Sequence, residues 1–417
     1  MTTAPRLDRS NRPITVLNAL LLAALMFAAS CSGTDDANSE ATDADAATTE
    51  VASEPDTETS ETESPPRQLR IATYNAGLAE GFVPLAEERL PLVAEAIADL
   101  DADIVFLQEI WATEAVDALR TATNSSFTTA IFPEPIPDTE LGEPACTIEE
   151  LADLQSCIAT NCADASPDEL VGCVLVNCGA PFAGLCDECR NCITANVGST
   201  VAEAIANCTT ASSLFAYEGS LGIGLLSTAD IVDTDVLVLE SSINRRAVLH
   251  ALVDTEAFGP IHVFGTHLSA VFSDIPFPGD GSWEGEQASQ IEALLAYIET
   301  RVDSDDPVVL LGDFNTGPSG VLFEAEVAAN YELLSAAMFT NTYIETIDAR
   351  CTFCGDNPLV GGGDGVVIDH VFTRGLQAGS DAERIFDQPL TLDVDGEATT
   401  TALSDHYGVV LTLTEMR

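Results

Sequence analysis

Groups suited to metal binding and proton transfer recur along this sequence where short apolar runs end. Asn75 follows the run 69–74, Gln108-Glu109 follow 103–107, and Thr266-His267-Leu268 follow 261–265. Gly312-Asp313-Phe314-Asn315 follow 307–311, Asp369-His370 follow 366–368, and Ser404-Asp405-His406 precede 407–413. Carboxylate oxygens suit a hard cation such as Mg²⁺. An imidazole titrates near working pH and can move a proton. Singly, each residue has an ordinary structural use: Asn75 in a turn, Glu109 at a helix cap, Asp313 and Asn315 in an Asx turn, His267 as a satisfied semi-buried ring. Their repetition at strand ends is what points to a site, because layered α/β folds gather those ends on one edge.

The elements that must position these groups are legible as apolar runs of strand length separated by helical or polar stretches, an α/β or α+β pattern. Residues 85–100 and 287–302 carry helical spacing, while 220–227 and 246–254 alternate or run apolar.

Six of these motifs, Thr73-Tyr74-Asn75, Leu107-Gln108-Glu109, Thr266-His267-Leu268, Gly312-Asp313-Phe314-Asn315, Ile368-Asp369-His370 and Ser404-Asp405-His406, stand in the order found in a known family. The chain resembles the endonuclease/exonuclease/phosphatase superfamily, which includes deoxyribonuclease I, neutral sphingomyelinases and inositol polyphosphate 5-phosphatases. The resemblance implies a four-layer αββα sandwich over residues 67–417, with the site at the top of two packed sheets. It also implies a metal-dependent hydrolase of phosphoester bonds, which needs an activated water, a neutralised phosphoryl group and a stabilised leaving oxygen.

The expected cofactor is Mg²⁺, with Glu109 as main ligand, Asn75 beside it, and Asp405 binding a second metal or orienting a water. His406 is expected as general base, its ring held by Asp369. By resemblance Asp313 positions or activates the water and is the rival for the base role. By the same resemblance Asn315 binds a phosphoryl oxygen, and His267 donates to the phosphoryl group or stabilises the pentacovalent transition state. Arg245 or Arg246 is a candidate for neutralising phosphate, and His250, His262 and His370 read as structural. Relatives often carry Arg-x-x-Gln after the His motif; here Gln287-x-x-Gln290 stands instead.

The chain has 417 residues, with 68 acidic against 15 basic side chains and a net charge of -53; every basic residue is Arg. This makes a basic nucleic-acid cradle unexpected and excludes a polybasic lipid patch. It does not imply disorder, because 46% of residues are apolar. Salt adaptation and codon bias explain a Lys-free acidic surface equally well.

Residues 1–31 read as a lipoprotein-type signal peptide: Arg6, Arg9 and Arg12, an apolar stretch over 14–29, then Ala28-Ala29-Ser30-Cys31, with Cys31 as the lipidated residue. Ordinary cleavage before Cys31 is the alternative. Residues 32–66 are a Ser/Thr/Ala-rich tether with 11 acids, expected to be disordered. From Arg67 onward 56 acids face 12 Arg, a charge of -44, so the folded part is acidic too. Nine of twelve Cys lie between Cys146 and Cys208. In an exported chain they read as a disulfide-stapled, helical Cys-rich insert over residues 140–212, with one Cys left over. A metal site at Cys186, Cys189 and Cys192 is the rival.

Three features favour a phospholipid headgroup as substrate. Gln108-Glu109-Ile110-Trp111 looks like a sequence of some neutral sphingomyelinases, Cys351-x-x-Cys354 with Asn357-Pro358-Leu359 resembles a loop of lipid-directed members, and a lipid anchor would hold the domain at a membrane. Phe272 and Phe277 are candidate membrane wedges. The expectation is an exported phosphodiesterase of the cell envelope, at the outer membrane or surface or secreted. Its alternatives are a surface nuclease, for which nucleic acid is the less favoured partner, and a non-enzymatic surface binding protein.

Overall fold

A computed structural model describes residues 66–415 apart from 135–142, 164, 166–169, 171–172, 175, 197–198, 211–214, 273–276, 278–279, 347, 377 and 395. The segments expected to be a signal peptide, the lipidated Cys31 and an acidic tether lie outside the described residues, apart from Pro66. No helix of those described is long and apolar enough to cross a membrane.

Two six-stranded mixed sheets form the centre. The strands are β1 Gln68–Leu78, β2 Ile104–Ile110, β3 Thr129–Ile131, β4 Ile223–Ser227, β5 Asp230–Leu239, β6 Arg246–Thr255, β7 Gly259–His267, β8 Val308–Asp313, β9 Thr340–Asn341, β10 Asp369–Arg374, β11 Ala378–Ile385, β12 Leu390–Val394, β13 Glu397–Thr401 and β14 Gly408–Glu415. The orders are β11-β14-β1-β2-β4-β3 and β5-β6-β7-β8-β10-β9, with β12-β13 a separate hairpin.

Side-chain alternation builds the layers. Ile71, Ile104, Phe106, Val263, Val309, Leu311 and Val371 face the seam between the sheets. Their neighbours Ala72, Val105 and Leu107 face the helices Ala86–Ala98 and Thr113–Thr123. Val308, Leu310 and Phe372 face the helices Trp283–Arg301 and Ala328–Ala336. Central strands buried on both faces read as continuous apolar runs. The result is the expected αββα sandwich, with each face of each sheet covered. The sheets approach closely at Gly265, where a Cβ would lie 2.1 Å from the Phe106 ring.

The insert is helical, with Ile148–Asn161, Gly179–Ala183, Asp187–Ala195 and Val201–Cys208 around a core of their own. Disulfides join Cys146–Cys189, Cys157–Cys178, Cys162–Cys173 and Cys192–Cys208. Cys186 is the odd thiol and is exposed. With Cys189 and Cys192 oxidised, the rival metal site loses two of its three ligands.

Candidate active site

The same alternation that fills the seam also ends it. Asn75 shares parity with Ile71, His267 with Val263, Asp313 with Leu311, and Asp369 with Val371. The apolar seam therefore terminates in amide, imidazole and carboxylate groups at one edge. Register completes the grouping, since Asp313 pairs with both His267 and Asp369 across neighbouring strands.

Asp313 Oδ2 is the hub. Asn75 Nδ2 donates to it at 2.9 Å, His267 Nε2 lies at 3.5 Å and His406 Nε2 at 3.8 Å. Oδ1 accepts the Asn315 N–H at 2.9 Å. Asp369 and His406 are hydrogen-bonded, with Nδ1 and Oδ2 2.9 Å apart. Asp369 Oδ1 is buried and unpartnered.

Glu109 reaches the site by breaking the alternation. Its backbone is left-handed at φ 58°, a sparsely populated region for a non-glycine residue that marks functional strain elsewhere. Its Oε2 is shut off from solvent without a hydrogen-bond partner. Burial, with Asp405 and Asp313 nearby, pushes its carboxyl up to about 7. Asp313 is pushed up to about 6 by burial and by Asp369. Burial opposes charge on His406, but Asp369 and Asp313 overcome it and hold the imidazole well above its ordinary value. His267 is driven the other way by burial, Arg246 and His406, and stays neutral.

These groups suit a divalent cation. An unpartnered carboxylate oxygen among like charges is costly to bury unless a cation offsets it. Asp313, Asp369 and His406 also lie close enough to share an ion. There, however, the Asn75 N–H already points at Asp313 Oδ2 and the ring already holds Asp369, so Glu109 is the better anchor. Asn75 is a tie between the sheets more than a free ligand: its Oδ1 accepts the Gly77 N–H at 3.0 Å. Asp405 is partly buried and accepts from Ser404 Oγ at 3.0 Å. The Asn315 amide donates to the Leu268 carbonyl at 2.9 Å.

Of the two candidate arginines, the geometry separates one. Arg245 lies over the Phe215 ring at 3.7 Å. Arg246 is 4% exposed, and its Nε and Nη1 have no partner among the described residues. Its nearest charges are Glu109, Asp313 and Glu286. Trp111 lies 5.7 Å from Arg246 and stacks on Tyr217. The three histidines read as structural are tied within the fold: His250 to His262 at 3.0 Å, and His370 to Thr316 O and Asn341 at 2.9 and 2.8 Å.

Several supporting residues escaped the sequence reading. Arg89 is fully buried and donates to the carbonyls of Pro84, Ala76, Gly77 and Leu403. It clamps the end of β1 against the loop carrying Asp405 and His406. Its signal was an arginine on the apolar face of a helix beside Val93 and Ile97. Gly77 lets that loop approach, since a Cβ there would lie 2.4 Å from Asp405 Oδ1. Gln287 and Gln290, which stand where relatives often carry Arg-x-x-Gln, form an amide network on Ser269, Glu240 and Asn315. Phe272 and Phe277 do not stand free as wedges. Both pack on Trp283, at 5.1 and 5.0 Å, because that ring offers them apolar cover.

Residues 72–406 match the family model described as Endonuclease/Exonuclease/phosphatase family. No curated protein matches. Among solved structures, sphingomyelinase C from Streptomyces griseocarneus is 17% identical, with 83% of this chain and 99% of that chain covered at a TM-score of 0.51. The protein SmcL is 13% identical over the same shares, at 0.52. The beta toxin of Staphylococcus aureus, in a variant crystallised with bound magnesium ions, is also 13% identical over the same shares, at 0.51. At such identities the likeness is one of fold.

Proposed function

Because this chain belongs to the endonuclease/exonuclease/phosphatase family and is a metal-dependent phosphoesterase, we propose that it is an exported Mg²⁺-dependent phosphodiesterase acting on a phospholipid headgroup. The observation that carries the reaction is the Asp369–His406 pair facing Asp313 beside the unpartnered Glu109 carboxylate. The similar fold of a sphingomyelinase C and the Trp111 motif favour the lipid substrate. Five disulfides suit an oxidising compartment, and Cys31 is the proposed lipid anchor.

Glu109 would hold the metal, with Asp405 beside it and Asn75 lending a remaining lone pair of the Oδ1 that already accepts the Gly77 N–H. Bound there, Mg²⁺ supplies charge neutralisation to the phosphoryl group and leaving oxygen. Asp313 takes the proton of the attacking water, since a carboxylate pushed up to about 6 is a better base than an ordinary one. His406, held charged by Asp369, faces the phosphoryl oxygens as a donor. Neutral His267 and the Asn315 amide add donors, and Arg246 supplies a dry cation whose free N–H groups can meet a phosphoryl oxygen.

The test is a substrate panel with purified residues 67–417: sphingomyelin vesicles, plasmid DNA and a phosphoinositide, each with and without Mg²⁺. Turnover should be greatest on sphingomyelin, require Mg²⁺, and be lost in His406→Ala and Glu109→Ala. Metal-independent turnover, or full activity in both variants, refutes the mechanism; preference for DNA refutes the substrate.

A further inference from the structure

Among the described residues, Cys351–Cys354 is the one disulfide outside the insert, and it closes a loop of four residues. Both inner residues reach the active site. Thr352 is fully buried. Its Oγ1 accepts the Ile368 N–H at 3.1 Å and the Asp369 N–H at 3.2 Å. Its carbonyl accepts the Tyr407 N–H at 2.8 Å. Phe353 bridges both Val366 and His406 through the backbone, and its ring lies 5.0 Å from the His406 imidazole. One short loop thus grips the chain at Asp369 and at His406, two segments 37 residues apart that must meet to within a hydrogen bond.

The bridge is poorly suited to global stabilisation. It spans three residues, against 11 to 43 for the insert bridges, and short loops constrain the unfolded chain least. Its effect is local. Its two ends differ in access, since Cys351 is half-buried while Cys354 is fully buried. Arg384 Nη1 lies 3.5 Å from the Cys354 sulfur and donates to the Cys351 carbonyl at 2.9 Å.

We propose that the Cys351–Cys354 bridge, with Thr352 inside it, is a redox-sensitive positioning clamp for the Asp369–His406 pair, opened by a dithiol reductant with loss of turnover. The inference rests on the phosphodiesterase reading of this site. A reductant thiolate attacks Cys351 Sγ, the S–S bond breaks, and the electron pair leaves on Cys354 Sγ. The Arg384 guanidinium stabilises that thiolate, and a better-stabilised leaving thiol departs faster. The second thiol of the reductant then resolves the mixed disulfide. The chain gains two electrons and two protons; the dithiol gives up both and becomes a cyclic disulfide. With the bridge open, Thr352 and Phe353 are no longer held at both ends.

In the full chain, Cys351→Ser with Cys354→Ser removes this bridge and leaves the four of the insert. On bis(p-nitrophenyl) phosphate with Mg²⁺, kcat should fall at least tenfold with KM within twofold. Amide hydrogen exchange at Ile368, Asp369 and Tyr407 should accelerate by a similar factor. Thr352→Val should reproduce the loss of kcat and the faster exchange at Ile368 and Asp369, while Thr352→Ser, which keeps the hydroxyl, should restore both. Dithiothreitol, at a level where alkylation mapping shows the bridge open, should lower kcat of the parent and not of the double variant. A double variant with parental exchange and kcat within twofold of the parent overturns the clamp. If the parent turns over no phosphoester while exchange responds as stated, the phosphodiesterase reading fails and the clamp stands.

Discussion

Glu109→Gln should stabilise the metal-free protein while destroying its response to Mg²⁺. The carboxyl rises from an ordinary 4.5 to about 7, chiefly through burial and then through Asp405 and Asp313. The sign follows from linkage. An acid whose folded value is raised binds more protons when folded, so stability falls as pH rises from the unfolded value through the folded one. Above pH 7 the full penalty is present, about 3 kcal/mol at the usual 1.36 kcal/mol per unit. That figure is a net one, since the attractions to His406 and Arg246 are already within the value of about 7. A neutral amide of the same shape escapes the charge penalty.

Bound Mg²⁺ works in the opposite direction on the parent. At a hundred times its Kd it adds about 2.7 kcal/mol, close to the burial penalty, so the two effects cross. Thermal unfolding at pH 8 therefore gives a four-way test. Without metal the variant melts above the parent; with saturating Mg²⁺ the parent gains several degrees and the variant much less. Turnover of the variant is lost under both conditions. A metal-free variant no more stable than the parent, or one that gains as much from Mg²⁺, refutes the placement of the cation at Glu109.

Two further outcomes follow from the same geometry. Asp313 must be ionised to take a proton, and it is pushed up to about 6, so kcat/KM should fall as pH drops through that region; Asp313→Asn should lose about 10²- to 10⁴-fold in kcat, and an acid limb that survives the substitution removes Asp313 from the base role. Arg246→Gln should lower kcat/KM at least tenfold, and Arg246→Lys should restore little, because a point charge does not reproduce the fork of donors; parental kinetics in the Lys variant would show that Arg246 contributes no more than charge.

The site was legible where chemistry coincides with strand ends. Asn75, His267, Asp313 and Asp369 follow buried apolar runs, and period-2 alternation places all four on the seam. Glu109 was named for its type and motif, but its position depends on a left-handed backbone that no pattern of hydrophobicity encodes. Thr352 was invisible because its work is done on the distant Ile368 and Asp369 N–H groups, and Arg89, though marked by its place on an apolar helix face, gave no hint of its partner Leu403 O. Edge elements were missed for a different reason. The strands β11 and β13 are polar and lack an apolar period, and β12 alternates Leu390, Leu392 and Val394 over only five residues. The insert was legible as a disulfide module, yet the pairing of its nine cysteines depends on how its helices pack.

The acidity of the chain bears on substrate through its few cations. A polyanion gains affinity from Lys and Arg that displace its counterions, and this surface offers almost none. Arg67, Arg70, Arg190, Arg301, Arg374 and Arg384 are each paired with a carboxylate. Arg89 is consumed by carbonyls, and Arg120 and Arg245 lie over aromatic rings. Of the described arginines this leaves Arg350, which is exposed, and Arg246, which is buried with free donors beside Glu109 and Asp313. Attraction for phosphate at the site thus rests on one point, the metal with Arg246 and His406, on a domain whose net charge is -44. A single phosphodiester in a zwitterionic headgroup needs only that point. A nucleic acid would need a track of cations along its backbone, and a domain at -44 provides none.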